Sequence, residues 1–305
     1  MYSYVSELFN DRNFSLSRIR TFLRVAESGS IRKAAEARTG QQAQFSRELK
    51  QLSEWAGAEL FKKSGRTKML TPEGKGLQRL LLDPLKALCE FRQRIEKRPV
   101  TLQIGTGAAL LDWWVIPRLN LDGKTRYRLS NQRSSTICEW LNDGRLDFGI
   151  IPQEYLQDAF AKEQLGTLDY ALFVPAKLVP KGTAPTITSV LKHVPLAVLT
   201  ETSTAGGRIT EMLLKIEPSI RVAVTCESMP TAAAAVNHGR CGAVLPKRLV
   251  SHLNPKDFKQ FEHRDFKQLD RDYFLVWTKR AAGIRIELKK SANELVKALR
   301  FSASA

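Results

Sequence analysis

Residues 30–52 read SIRKAAEARTGQQAQFSRELKQL, and their apolar positions fall in two sets. Ile31, Ala34 and Ala35 form one set, while Phe45, Leu49 and Leu52 follow at the four-then-three spacing of a single helical face. The pattern predicts two short helices joined at Thr39-Gly40, a helix-turn-helix. Gly40 suits the turn because it can take a positive φ without a Cβ clash, and the two alanines let helices approach closely. On the second helix the expected outward residues are Gln41, Gln42, Gln44, Ser46, Arg47 and Lys50. Such a set can hydrogen-bond base edges and pair with phosphates. An ordinary helical hairpin with a solvated polar face fits these residues equally well.

The next stretch separates the two readings. Leu60-Phe61, the basic turn Lys62-Lys63-Ser64-Gly65-Arg66, and Lys68-Met69-Leu70 predict a two-stranded hairpin with glycine at its tip, a wing beside the second helix. Thr71-Pro72-Glu73 then opens a helix, with Thr as N-cap, Pro at the first helical position and an acid in the first turn. With FLRVAESGSIRKAAEA, QQAQFSRELKQL, Gly57 before Leu60-Phe61, and LTPEG in this order, the chain resembles the LysR-type transcriptional regulators. The resemblance implies duplex DNA as partner, contacted by Ser30, Arg32, Gln41, Gln42, Gln44, Ser46, Arg47, Lys50, Lys63, Arg66 and Lys68. One departure stands out: the family's Ser-Gln-Pro-Ala at the start of the recognition helix is replaced by Gln41-Gln42-Ala43-Gln44. A glutamine N-cap without the following proline weakens that helix start by ~1 kcal/mol.

Charge points the same way. The 305-residue chain carries a formal +17, with 20 basic against 11 acidic residues up to Arg98 and 28 against 20 afterwards. The first third thus has about twice the charge density of the rest, as a polyanion-binding segment requires. Apolar residues make up 43% of the chain, enough for the sizeable cores of two or three globular domains. Cys89, Cys138, Cys226 and Cys241 form no C-x-x-C pair, and His193, His238, His252 and His263 show no ligand spacing. No metal, cofactor or disulfide framework is expected. No run of ~18 apolar residues occurs, and Glu7, Asp11 and Arg12 stand where a signal peptide would be apolar, so a cytoplasmic location away from membranes is expected. G-x-S-x-G, H-E-x-x-H, Walker and G-x-G-x-x-G patterns are absent, which leaves catalysis without support.

The expected fold class is α/β: an N-terminal winged helix-turn-helix plus linker helix, then a two-lobed, Rossmann-like effector domain of the periplasmic-binding-protein type. Residues 1–15 show no period and are expected to be a loosely held extension. Residues 16–72 form the DNA-binding domain, its first helix over 16–27 with Ile19, Phe22, Leu23 and Ala26 on one face. Residues 73–98 form the linker, where Leu77, Leu81, Pro84, Leu88, Phe91 and Ile95 keep the spacing of a coiled-coil seam, with a kink or break expected just before Pro84. The resemblance implies that this helix pairs two subunits, with dimers often assembling further into tetramers.

From residue 99 the pattern alternates between strands and helices, which predicts parallel sheets with right-handed crossovers. VTLQIGTGAAL, LNDGRLDFGII and GRCGAVLP resemble effector-domain segments of the same family. The expected lobes are residues 99–175 with 247–305, and residues 176–246. By resemblance the ligand lies between them, against Thr106, Gly107, Arg133, Ser134, Ser135, Thr136, Ser203, Thr204 and Met229. Free backbone N–H groups at helix starts and the charge of Arg133 favour a small anion such as a carboxylate. Each Ser/Thr cluster alone reads as a helix cap, and the link over residues 117–127 is shorter than usual in the family, which implies an altered or empty cleft. Two alternatives remain open here: a DNA-binding regulator with no small-molecule response, and a cytoplasmic solute-binding module.

Overall fold

A computed structural model describes residues 3–36, 39–65, 67–180, 185–200, 206–250, 253–254 and 256–301. The chain divides into two units, Met1–Leu85 and Lys86–Ala305.

The first unit opens on a helix, α1 (Ser3–Asn10), where no period was legible. Next come α2 (Leu16–Ser28), α3 (Ile31–Ala34) and α4 (Thr39–Ala56), the hairpin of β1 (Phe61–Ser64) and β2 (Thr67–Leu70), and α5 (Pro72–Ile95), inside which the division falls. Ser15 caps α2 by accepting from the Arg18 N–H, and Gly29 ends it in the left-handed region at φ 66°. Phe22, Val25, Ala34, Ala35, Phe45, Leu49, Leu52 and Leu60 are buried together as the core of this unit. Gly40 is not the turn: α4 already begins at Thr39, so neither Gly40 nor the Gln41 cap is where expected. The left-handed residue is Glu36 at φ 50°. Arg24 holds it there, reaching the Ala34 carbonyl at 2.6 Å and the Glu36 carboxylate at 3.3 Å.

Thr71 caps α5, accepting from the Gly74 N–H at 3.0 Å while donating to the Glu59 carbonyl at 2.6 Å. Only glycine fits at 74, because a Cβ there would come within 2.1 Å of the Leu60 carbonyl oxygen. Helix α5 runs without a break through Pro84, where a kink or break was expected. The proline leaves one helical carbonyl without its N–H, a local cost that the turns on either side offset. Leu77 and Leu81, half-buried, pack against the first unit's own core. The exposed apolar face is instead Leu80, Leu88, Phe91 and Ile95, with Pro84 between.

The second unit holds two sheets. Its elements are β3 (Val100–Thr106), α6 (Ala108–Leu110), β4 (Thr125–Asn131), α7 (Ser134–Asn142), β5 (Phe148–Pro152), β6 (Phe160–Leu168), β7 (Tyr170–Pro175), α8 (Ile187–His193) and β8 (Pro195–Leu199). They continue with α9 (Gly206–Ile216), β9 (Arg221–Cys226), α10 (Met229–Asn237), β10 (Ala243–Pro246), β11 (Phe258–Phe261), β12 (Arg271–Thr278), α11 (Lys279–Ile284) and α12 (Ile286–Leu299). The first sheet has the order β4-β3-β5-β12-β6; β4, β3 and β5 are parallel, but β12 is antiparallel to both β5 and β6. In the second, β7 lies between β10 and β11, antiparallel to both, and the parallel pair β8-β9 joins through the Leu196–Gly242 bridge. Both sheets are therefore mixed rather than parallel. Strands β7 and β11, expected in lobe I, belong to the second sheet, so lobe II spans residues 170–269. The crossovers are single residues: Asp169 between β6 and β7, and Asp270 before β12.

At the end of β3 and β5 remote from Thr106 and Pro152 lies a buried ionic cluster. Arg285, 2% exposed, donates to Glu90 of α5 at 2.8 Å through Nε and to Asp147 at 2.5 Å through Nη1. Lys86 of α5 reaches the same Asp147 oxygen at 2.7 Å, and the other Asp147 oxygen accepts from the Gln103 N–H at 2.8 Å. Burial pushes the Asp147 carboxyl up, but Lys86 and Arg285 more than offset it, and the group sits below the ordinary carboxylate range.

Candidate functional site

Two surfaces gather the residues singled out above. In the first unit, α4 buries Phe45 and Leu49 and turns Ala43, Ser46, Arg47 and Lys50 to solvent. At 100° per residue these four cluster on one face. Gln41 and Gln42 flank the buried stripe and are only half exposed, while Gln44 is exposed but donates to Glu48 at 3.0 Å. Glu48 is the hub of a polar seam between α2 and α4, accepting from Ser17 at 3.1 Å and from Thr21 as well. Burial alone would push its carboxyl up, yet these three donors hold it below the ordinary range. Thus Gln44 serves the scaffold. Ser30 is half-buried at the start of α3, where its side chain makes no capping bond, and Arg32 is exposed on the same helix. On the wing Lys63 is exposed, and Lys68 lies over the Phe61 ring at 5.9 Å. Arg66 lies outside the described residues. Among those described, Arg32, Arg47, Lys50 and Lys63 are exposed cations on α3, α4 and β1, the side-chain type that pairs with phosphates.

In the second unit a cavity of about 430 Å³ lies between the two sheets. Of the residues singled out for the effector, Thr106, Gly107, Arg133, Ser134 and Met229 line it. Ser135 does not: one residue farther along α7 turns the side chain about 100°, into a separate recess beside Cys138, Glu139 and Tyr155. Thr136 lines neither cavity. Ser203 and Thr204 lie outside the described residues. Despite the short link at residues 117–127 the cleft is open. Thr106, fully buried, donates to the Ile150 carbonyl at 2.9 Å and ties β3 to β5 at the cleft floor. The α7 N-terminus carries no side-chain cap and its Arg133 is exposed, whereas α10 on the other lobe is capped by Ser228.

Sequence reasoning missed the cleft's deepest polar residues. Tyr170, Arg271 and Tyr273 line it where the chain crosses between lobes. Arg271, 8% exposed, pairs with Glu154 at 3.2 Å, and the two phenols share a hydrogen bond. Burial pushes both phenols above their ordinary pKa, so each remains neutral. No spacing in β7 or β12 announces these residues; only the antiparallel insertion of β12 brings them to the cleft. The same physics makes the buried thiols poor nucleophiles: burial pushes Cys226 and Cys241 up, and Cys138 to about 11. Among the described residues no His, Cys, Asp and Glu cluster could hold a metal ion, and no helix is long and apolar enough to cross a membrane.

Comparison with known proteins covers both surfaces. Residues 16–75 match the model of bacterial regulatory helix-turn-helix proteins of the lysR family, and residues 96–287 match the LysR substrate binding domain. The HTH-type transcriptional regulator PecT of Dickeya dadantii is 29% identical over 145 residues, 45% of this chain and 46% of PecT. The matched stretch thus spans about half the length of the curated relatives. Among solved structures, a full-length OxyR variant from Pseudomonas aeruginosa superposes with a TM-score of 0.65 at 20% identity, over 94% of this chain and 95% of that one. Full-length CbnR complexed with its target DNA gives 0.58 at 18% identity, over 95% of this chain and 100% of that one. At such identities the likeness concerns the fold.

Proposed function

The chain belongs to the LysR family of bacterial regulatory helix-turn-helix proteins, and from that membership we propose that it regulates transcription by sequence-specific binding to duplex DNA. The observation that carries the reading is the outward face of α4, where Arg47, Lys50 and Ser46 stand clear of a core that occupies the opposite side. In this reading residues 16–72 bind DNA, Gln42 and Arg47 reach base edges or backbone, and Lys63 and Lys68 of the wing meet phosphates. The linker over residues 73–98 joins two copies through the exposed face of α5. Residues 99–305 bind a small effector carrying an anionic group between the lobes, against Thr106, Gly107, Arg133, Ser134 and Met229. No catalytic step and no cofactor are proposed, and the place of action is the cytoplasm. CbnR, solved on its target DNA, lends support to the DNA-binding half.

Mobility shifts on DNA from upstream of the protein's own gene test this. Gln42→Ala and Arg47→Ala are each expected to weaken operator binding by ~1–3 kcal/mol, roughly 5- to 150-fold, with relaxed preference at one position. Lys63→Ala is expected to weaken all sequences alike and to flatten the log-log salt slope by about 0.9. Unchanged affinity and slope in all three variants would remove this helix and wing from the DNA interface.

A further inference from the structure

The cleft presents opposite charges on its two walls. On lobe I, Ser134 is buried to nine-tenths, lines the cavity and makes no side-chain hydrogen bond among the described residues. It sits at the uncapped start of α7, next to exposed Arg133, which makes no ion pair among them either. On lobe II, Glu227 follows β9 and lines the same cavity, exposed and equally without an ion pair. The other charged residue in the lining, Arg271, is compensated by Glu154. Among the described residues the uncompensated groups are therefore a donor-rich cationic wall and one carboxylate.

A simple anion would satisfy only the first. A dianion bridging the lobes would bring a carboxylate toward Glu227, and like charges brought close repel. From these groups we infer that the effector is a zwitterion, its anionic group at Arg133, Ser134 and the first N–H groups of α7, and a protonated amine at Glu227. The inference rests on the cleft being the effector site and names the chemical class that site selects. The ligand then draws the lobes together, because each end is recognised by a different lobe, and it favours the closed state by its differential affinity.

Calorimetry on the full-length protein tests it, with amino acids carrying α- or ω-amines set against analogues in which that amine is a hydroxyl. At least one amino acid is expected to bind saturably, its hydroxyl analogue about tenfold or more weakly, as befits loss of a charge-assisted hydrogen bond. Glu227→Gln is expected to abolish that discrimination. Hydroxy acids that bind wild type as tightly as amino acids, and ignore Glu227→Gln, would overturn the zwitterion and leave the cleft reading standing. A variant that melts earlier yet keeps the discrimination would reduce Glu227 to a partner of the α10 dipole, overturning the inference as well. Failure of both series to bind would sink the effector cleft itself.

Discussion

Arg285→Met is expected to unfold the second unit about 3–5 kcal/mol more easily than wild type at neutral pH. The reason is what it leaves behind. Glu90 loses the partner of its buried carboxylate, and Asp147 keeps only Lys86 and the Gln103 N–H. For a unit of this size the loss corresponds to a fall in melting temperature on the order of 10 °C. The pH dependence follows from the sign of the Asp147 shift. In wild type its folded pKa is depressed, so its contribution is complete above the unfolded value near ~4 and disappears as pH falls through the folded value. Without Arg285 only Lys86 opposes the burial, so the same carboxyl sits higher than in wild type and protonation relieves the variant at a higher pH. The gap between the two melts should therefore narrow from about pH 7 to about pH 4. An equal gap at both pH values would mean that the cluster contributes by packing alone. The cluster also sets where the protein can be cut: a fragment starting at Pro99 lacks Lys86 and Glu90 and leaves Arg285 under-compensated, so ligand binding belongs on the full chain.

Leu88→Asp with Ile95→Asp is expected to give monomers that bind operator DNA roughly 10²- to 10⁴-fold more weakly, the range over which linking two binding modules raises avidity. Both side chains are exposed in the single chain, Leu88 at 65% and Ile95 at 68%, so the fold loses little by the change. Together with Phe91 they form one apolar stripe, and two charges in it would be buried only if a second α5 covers it. Sedimentation at micromolar concentration, with mobility shifts alongside, measures both effects. Wild type sedimenting as a monomer there would end the seam reading.

What could be read from the sequence was whatever a local pattern dictates. The helix face of Phe45, Leu49 and Leu52, the wing with Gly65 at φ 56°, and the cap of Thr71 all follow from neighbours within a few residues. The failures have a common origin in distant contacts. Gly40 offered a turn, but Arg24 from another helix fixed it at Glu36. Leu77 and Leu81 kept the seam's spacing, yet the winged core claimed them, and Leu80 took their place on the open face. Ser134 and Ser135 are chemically alike, and only the start of α7 at Ser134 decides which faces the cleft. Strand β6, whose burial pattern is irregular, was illegible until β12 paired with it.

That pairing has a consequence for how the polypeptide is made. Strand β12 fills the gap between β5 and β6, but it is synthesised only after all of lobe II, more than a hundred residues behind β5. Until it arrives, β5 and β6 each present an unpaired edge on the nascent chain, and edges of that kind recruit other chains. Lobe II, whose strands pair among themselves, can fold on the ribosome first, joined to β6 only through Asp169. Completion of lobe I is then a late, long-range step, slow by the entropy of closing so large a loop. Truncations that stop short of Thr278 would freeze the chain at its most aggregation-prone stage.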